Sequence, residues 1–118
     1  MHLDMASSES IKSFVQKVST DFDRIDGFVC NAGVMIDKWA DVEGMESSMA
    51  INVINTLQLG ILLMPKLSEV AKKHAMHPTL VFIVSVLGYT AKAELDKSRE
   101  GNIFEGLNNQ KRANMDQR

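Results

Sequence analysis

Apolar side chains recur at helical spacing early in the chain, at Ile11, Phe14, Val15, Val18 and Phe22. Charged side chains lie off this stripe, so the pattern predicts an amphipathic helix that covers one face of a larger structure. Ser7 stands where an N-cap would lie, and Glu9 follows in the first turn, where the helix dipole favours an acid. The segment before the helix, His2 to Asp4, is predicted as the tail of a strand.

Two short apolar runs show a different pattern. Residues 25–30 contain the run Phe28-Val29-Cys30, and residues 80–84 are apolar throughout, with β-branched and aromatic side chains prominent. Runs of this kind are typical of strands that are buried on both faces of a sheet. We therefore predict a strand at each of these places.

The segment between the two predicted strands is dominated by a helical pattern. We predict a loop over residues 34–42 and then a long helix from about Glu43 to His74, with Asp41 as its cap. Acids stand at the beginning of this helix and bases at its end, as the helix dipole favours. Pro65 predicts a kink, and a short helix is predicted over residues 102–110.

The order of elements is strand, helix, strand, long helix, strand. This alternation predicts an α/β fold in which a parallel sheet carries helices on its faces. Ligands of such sheets bind beyond the carboxyl ends of the strands. Asp4, Asn31 and Ser85 each follow a predicted strand, so we expect the three side chains to line one crevice.

Composition narrows the classes of function. The 118 residues carry a formal net charge of −2, which gives no electrostatic case for binding nucleic acid. The single cysteine, Cys30, excludes an internal disulfide and is consistent with a reducing, cytoplasmic compartment. No apolar leader is predicted at the beginning, and residues 49–67 are interrupted by polar residues and a proline, which favours a buried helix over a membrane span.

Five short segments occur at consistent separations and together resemble the short-chain dehydrogenase/reductase family: LD at 3–4, NAG at 31–33, INV at 51–53, LLMPKL at 62–67 and VFIVS at 81–85. The resemblance covers almost the whole chain. Residues 102–118 are similar to the segment before the catalytic tyrosine in retinol-dehydrogenase-like and fungal members. The resemblance to the family implies a partial Rossmann-type doubly wound parallel sheet, with pieces that resemble the third, fourth and fifth strands. It also implies a single incomplete NAD(P)-binding domain over residues 1–118.

The resemblance implies four cofactor-binding residues. Asp4 resembles the aspartate that contacts the adenine ring, and the competing interpretation is an exposed acid. Asn31 resembles the asparagine that ties the central strand to its neighbours, while Ala32 and Gly33 are small enough for the chain to turn close to the cofactor's ribose. Asparagine and glycine also favour ordinary turns, which is the simpler explanation of this segment.

Two residues are implied to be catalytic. Asn52 resembles the asparagine that holds a water in the family's proton relay, and the alternative is a polar side chain satisfied within a helix. Ser85 resembles the serine that donates a hydrogen bond to the reacting carbonyl or alcohol oxygen, and the alternative is a serine that caps a loop.

Two family motifs are absent from these residues. No two of the seven glycines are separated by one residue, so the glycine-rich turn that admits the pyrophosphate is missing. The only tyrosine, Tyr89, has Lys92 three positions later and lies four positions after Ser85, so it does not fit the family's Tyr-x-x-x-Lys motif. We therefore expect the 118 residues by themselves to be inactive. The strands that would link His2–Asp4 to the other two are also missing, which leaves the apolar edge of residues 25–30 uncovered, so we expect the chain alone to be poorly soluble or molten.

Three functions compete. The first is a central part of an oxidoreductase that acts on a small-molecule alcohol or carbonyl with NAD(P), NADP being slightly favoured by analogy. The second is a non-catalytic, truncated paralogue that forms a homo- or heterodimer through the long helix, about residues 43–74. The third is a different nucleotide-binding α/β domain. No metal site, nucleic-acid partner or membrane span is expected.

Overall fold

The first predicted helix is present as Ser8–Asp21 (α1) in a computed structural model of the protein, which describes residues 1–86, 102–113 and 115. The Oγ of Ser7 accepts a hydrogen bond from the backbone N–H of Ser10 at 3.2 Å, which confirms the predicted N-cap. Three stripe residues are buried: Ile11, Val15 and Val18. Phe22 ends the helix as its C-cap and is exposed, so the buried face is shorter than predicted.

The two predicted strands form a parallel pair. Gly27–Cys30 (β1) pairs with Thr79–Phe82 (β4), in a register that runs from Gly27 opposite Thr79 to Cys30 opposite Phe82. Backbone hydrogen bonds extend the ladder by one residue at each end, from Thr79 N–H to the Asp26 carbonyl and from Ile83 N–H to the Cys30 carbonyl, both at 3.0 Å. The predicted α/β architecture with a parallel sheet is confirmed.

The prediction that the strands are buried on both faces of the sheet is wrong for the described residues. Phe28 and Leu80 pack against the core on one face, whereas Val29 on the opposite face is 57% exposed. Ile83 and Val84 beyond β4 are exposed as well. The reason is that both long helices lie on one side of the strand pair, so alternate side chains face the core and the others do not.

The strand predicted at His2 to Asp4 is also wrong, because these residues pair with no strand in the described part of the chain and lead into a turn over residues 4–7. The carboxylate of Asp4 accepts a hydrogen bond from Ala6 N–H, and the backbone N–H of Asp4 donates to Ser10 Oγ, both at 2.9 Å. These local bonds satisfy the backbone without a neighbouring strand. The turn leads directly into α1.

A hairpin precedes the long helix, where a loop and the helix's first turn were predicted. Asp41–Val42 (β2) pairs antiparallel with Met45–Glu46 (β3). The two turn residues, Glu43 and Gly44, have φ values of 52° and 85°, the left-handed conformation that a two-residue hairpin turn requires. Asp41 accepts a hydrogen bond from Gly44 N–H at 3.0 Å, so its carboxylate closes this turn and does not cap the helix.

The long helix spans Ser47–His74 (α2) and begins four residues later than predicted. Its first turn leads into a π-helical section, Ala50–Asn55, after which it continues as an α-helix. Pro65 does not interrupt it. The helix ends at Ala75, which adopts the left-handed conformation, and bases occupy the last turn as predicted.

The core lies between α1, α2 and the covered face of the sheet. Its central side chains from the two helices are Ile11, Val15, Val18, Leu59, Leu63 and Leu67. Gly60 allows close contact between α2 and β4, because a Cβ at this position would come within 2.4 Å of the Phe82 ring. The last described element is the short helix Ile103–Leu107 (α3), which Asn102 caps, within the predicted range.

α2 is long and apolar enough to cross a membrane when only length and composition are considered. Half of its most apolar window is buried inside the protein's own fold. The core helix of a soluble protein passes the same test, so the finding is weak support for a span.

Glu46, and not Asp41, caps α2. Its side chain is fully buried, and its two carboxylate oxygens accept hydrogen bonds from the backbone N–H groups of Ser48 (2.7 Å) and Met49 (3.1 Å). Burial raises the pKa of this carboxyl, but these backbone bonds, together with the bond from the Ser47 hydroxyl at 3.1 Å, outweigh it and hold the pKa below the ordinary 4.5.

Replacing Glu46 with glutamine should destabilise the fold in a pH-dependent manner. The folded-state pKa is lowered, so the carboxylate's contribution is complete above about pH 4.5 and is lost as the pH falls through the native pKa. We expect Glu46→Gln to cost about 1 kcal/mol at neutral pH and progressively less in acid. Urea unfolding at about pH 7 and about pH 3 measures this, with the exposed Glu105→Gln as the control. A difference that stays constant across this range would contradict the assignment.

Candidate active site at the carboxyl edge of the sheet

The carboxyl ends of β1 and β4 lie side by side, because Cys30 and Phe82 are paired and Ile83 is bonded to Cys30. Asn31 therefore follows β1 at the same edge at which Ser85 follows β4. Both side chains are exposed. The topology thus brings two of the three predicted strand-end residues to one edge of the sheet.

A small cavity of about 60 Å³ lies at this edge. Asn31 and Ala32 line it, together with Leu3, Met5, Phe28, Val29, Cys30, Thr56 and Leu59. Asp4 lies between two lining residues, but its carboxylate is used in the turn before α1, and Ser85 does not line the cavity. The structure therefore shows part of the predicted crevice, on a scale well below the several hundred Å³ of small-molecule sites.

Asn52 is the most strongly positioned of the predicted catalytic side chains. Its Oδ1 accepts a hydrogen bond from Val34 N–H, and its Nδ2 donates to the Val34 carbonyl, both at 2.8 Å. Val34 comes directly after the Asn31-Ala32-Gly33 turn, so α2 holds the backbone of the segment that leaves β1. Within the described residues, one lone pair of Oδ1 and one N–H of Nδ2 stay available for a further partner such as water.

The size of Gly33 is explained by the same contact. A Cβ built on Gly33 would lie 3.0 Å from the Oδ1 of Asn52, closer than nearly all real contacts. A larger residue at this position would require the Asn52 amide to shift by a few tenths of an ångström. A small residue therefore suits the packing of the turn itself, whether or not a cofactor approaches it.

Asn52 lies in the π-helical section of α2, a rare geometry that is frequent at functional sites. The hydroxyl of Thr56 donates to the Ile51 carbonyl at 2.8 Å, and so satisfies a backbone group in this section. Asn55 is buried, and its side-chain amide donates to the Met5 carbonyl at 2.8 Å. It anchors the turn before α1 to α2.

The remaining candidate side chains give little support for a catalytic or binding role. Asn31 forms no hydrogen bond through its side chain within the described residues, and the β1 edge that would carry a further strand is unpaired there. Burial raises the pKa of the Cys30 thiol, which does not suit a nucleophile. Tyr89 and Lys92 lie outside the described residues, and the described part of the chain holds no cluster of three metal-ligating side chains.

Sequence reasoning missed two residues that shape this edge. Val34 acts through its backbone, and no side-chain pattern reports such a role. Glu46 was assigned to the first turn of a helix, where acids are common. The Ser47-Ser48 pair after it, which supplies hydroxyl and backbone donors, was the available signal.

A family model described as short chain dehydrogenase matches residues 1–96 of the chain. The chain belongs to the short-chain dehydrogenase family. This excludes the interpretation as a different nucleotide-binding α/β domain.

Relatives within the family include fungal and retinol-dehydrogenase-type proteins. The short chain dehydrogenase atnD of Emericella nidulans is 37% identical over 98% of this chain, which spans 37% of that protein. Human retinol dehydrogenase 13 is 33% identical over 76% of this chain, which spans 26% of that protein. The chain thus covers about a third or less of these short-chain dehydrogenases, and the predicted resemblance to fungal and retinol-dehydrogenase-like members is confirmed.

The fold agrees with that of a solved structure. An NADH-dependent reductase, A1-R', responsible for alginate metabolism, superposes with a TM-score of 0.60 over 91% of this chain and 42% of its own, at 20% identity. This similarity supports the partial Rossmann-type arrangement of β1, α2 and β4.

Asn52→Ala should release the segment after β1. The variant loses both hydrogen bonds to Val34, and we expect the Val34 amide to exchange about 10- to 30-fold faster with deuterium, as the loss of about 1 kcal/mol per bond implies. Asn52→Asp, which keeps the acceptor but not the donor, should give an intermediate rate. Amides of α1 serve as the internal control. An unchanged rate at Val34 in the alanine variant would show that the amide does not hold this segment.

Proposed function

We propose that the chain is the central part of an NAD(P)-dependent oxidoreductase that interconverts a hydroxyl and a carbonyl group by hydride transfer. The observation that carries this proposal is the double hydrogen bond of Asn52 to Val34, directly after the Asn-Ala-Gly turn. It holds the turn at the sheet edge where Ser85 also stands. A short-chain dehydrogenase needs a shaped turn and a serine at this place.

The residues at this edge fit a nicotinamide cofactor in part. We propose that Asp4, Asn31, Ala32 and Gly33 contact it, with NADP slightly favoured over NAD by analogy. The close approach of Gly33 to Asn52 leaves this turn free of bulky side chains. A bound NAD(P) supplies or accepts the hydride, and no glycine-rich turn for its pyrophosphate is encoded within these residues.

Ser85 is proposed to donate its hydroxyl proton in a hydrogen bond to the reacting oxygen of the small-molecule alcohol or carbonyl. This donor stabilises the negative charge that develops on the oxygen during reduction of a carbonyl. Asn52 is proposed to hold a water with the hydrogen-bonding capacity that Val34 leaves available. The unpaired thiol of Cys30 supports a cytoplasmic location, which fractionation of the source cells would test.

The 118 residues by themselves are proposed to lack turnover. They encode neither the glycine-rich turn nor Tyr-x-x-x-Lys, so a general acid/base with a lowered pKa is missing from them.

The deciding experiment is to sequence the transcript across both ends of this coding region and to assay the protein it encodes. We expect the reading frame to continue into a glycine-rich turn on one side and Tyr-x-x-x-Lys on the other. In that protein Ser85→Ala should lower kcat about 10²- to 10³-fold, as loss of a donor to a developing oxyanion does. Consumption of NADPH and NADH with a panel of carbonyl compounds measures it.

Ser13→Ala is the matched control for that assay, because Ser13 is an exposed serine on α1, away from the sheet edge. Stop codons on both sides of the region, or a Ser85→Ala enzyme with unchanged kcat, would contradict the catalytic proposal. Turnover by the 118-residue chain alone would contradict the proposed need for the two missing motifs.

A second candidate function is association through α2. Four apolar residues at spacings of four, four and three follow one stripe of this helix and are 41–64% exposed in the described chain: Val53, Leu57, Ile61 and Met64. A continuous exposed apolar stripe on a helix is typical of an interaction surface. We propose that a second copy or a full-length relative covers it, whether or not the chain is catalytic.

Ile61→Glu should weaken this association at least about tenfold, since it places a charge in the middle of an apolar contact. Sedimentation equilibrium of the purified chain, alone and with a relative, measures the dissociation constant. Gln16→Glu, on the exposed side of α1, adds the same charge elsewhere. A dissociation constant that is equal in both variants, or a parent chain that is monomeric at all concentrations, would refute the interface.

A further inference from the structure

The side chain of Asn108 bonds to the β2–β3 hairpin, more than sixty residues earlier in the chain. Its Oδ1 accepts a hydrogen bond from Glu46 N–H at 2.7 Å, and its Nδ2 donates to the Gly44 carbonyl at 3.0 Å. Both distances are those of good hydrogen bonds. A primary amide carries the same donor and acceptor as a peptide group, so Asn108 occupies the position that a neighbouring strand would take at the edge of β3.

This amide makes the hydrogen bonds between two described parts of the chain, residues 1–86 and 102–113. Among the described residues, the hydrogen bonds between segment 102–113 and residues 1–86 are the two that Asn108 makes. The other hydrogen bonds of the segment are local, such as the cap of α3 by Asn102 and the bond from Lys111 N–H to Asn109 Oδ1 at 3.1 Å. Asn109 is thus a neighbouring asparagine with no role in docking.

Asn108 bonds to Glu46, which is the N-cap of α2. The backbone of Glu46 is bonded to Asn108, while its buried carboxylate caps Ser48 and Met49. The π-helical section begins at the next residue, Ala50, and contains Asn52, whose amide holds Val34. A continuous set of hydrogen bonds and helix backbone therefore connects segment 102–113 to the turn after β1.

We propose that Asn108 is a positioning residue that docks segment 102–113 on the hairpin and, through Glu46, holds the beginning of α2 so that Asn52 stays on Val34. In this arrangement Asn108 links two parts of the site. One is the segment that precedes the active-site tyrosine in the family, and the other is the turn that follows β1. The catalytic meaning of this coupling rests on the proposed function, whereas the docking itself can be measured without turnover.

Hydrogen exchange of the complete protein that the transcript encodes tests the proposal, with Asn108→Ala and Asn109→Ala as a matched pair. Asn108→Ala should raise the exchange rates of the Glu46 amide and of α3 by roughly 10- to 100-fold, as expected for the loss of two hydrogen bonds. The Val34 amide should also exchange faster. Asn109→Ala should leave Glu46 and Val34 as they are in the parent chain.

Asn108→Asp provides the second variant. It keeps the oxygen that accepts from Glu46 N–H and loses the donor to Gly44, so it should restore protection at Glu46 but not fully at α3. Amides of Leu63 and Val70, in the fully buried part of α2, report whether a variant has lost its fold. If Asn108→Ala is unfolded by this criterion, the comparison of Asn108→Asp with the parent decides.

Two results would overturn the proposal. One is an unchanged Glu46 amide in Asn108→Ala, which would show that the amide does not dock the segment. The other is a faster Glu46 amide with an unchanged Val34 amide, which would show that docking is not transmitted to Asn52. Failure of the proposed catalytic function would appear instead in the assays of Ser85→Ala and leave these exchange rates unaffected.

Discussion

The parallel pairing of β1 with β4 is the constraint on which the rest of the structure depends. Two parallel strands that are neighbours in a sheet need a connection that returns across one face, and here α2 supplies it. This return places α2 against Phe28, Leu80 and Phe82, and it ends both strands at the same edge. The strand pairing therefore determines the positions of Asn31 and Ser85 and the contact between Asn52 and Val34.

Elements that depend on periodicity were predictable from the sequence. α1 shows a helical stripe of apolar residues, and the two strands show continuous apolar runs, so their type and parallel order could be inferred. The hairpin at Asp41–Glu46 was not inferred, because Glu43-Gly44 is an uncommon pair for such a turn and the acids around it suit the first turn of a helix equally well. Only the backbone conformation distinguishes the two.

The site divides in the same way. The resemblance to family motifs identified Asn31, Asn52 and Ser85 as candidates. In the structure Asn31 and Ser85 lie at one edge of the sheet, and Asn52 is bonded to Val34 near that edge. The strand at His2–Asp4 was predicted from its position before α1 and is wrong, because a strand requires a partner and Asp4 forms local hydrogen bonds instead. The role of Asn108 depends on hydrogen bonds between its side chain and backbone groups more than sixty residues earlier, which leave no pattern in the sequence.

The π-helical section of α2 has a consequence for how this family site is inherited. A π turn closes its hydrogen bond over one more residue than an α turn, so the number of residues between Ala50 and Asn55 sets the direction in which Asn52 points. Loss of one residue here would preserve the asparagine and rotate it away from Val34. A related sequence with one residue fewer could therefore keep the Ile-Asn-Val motif and still lose the hydrogen bonds between Asn52 and Val34. The number of residues in the π-helical section is thus part of what defines the site.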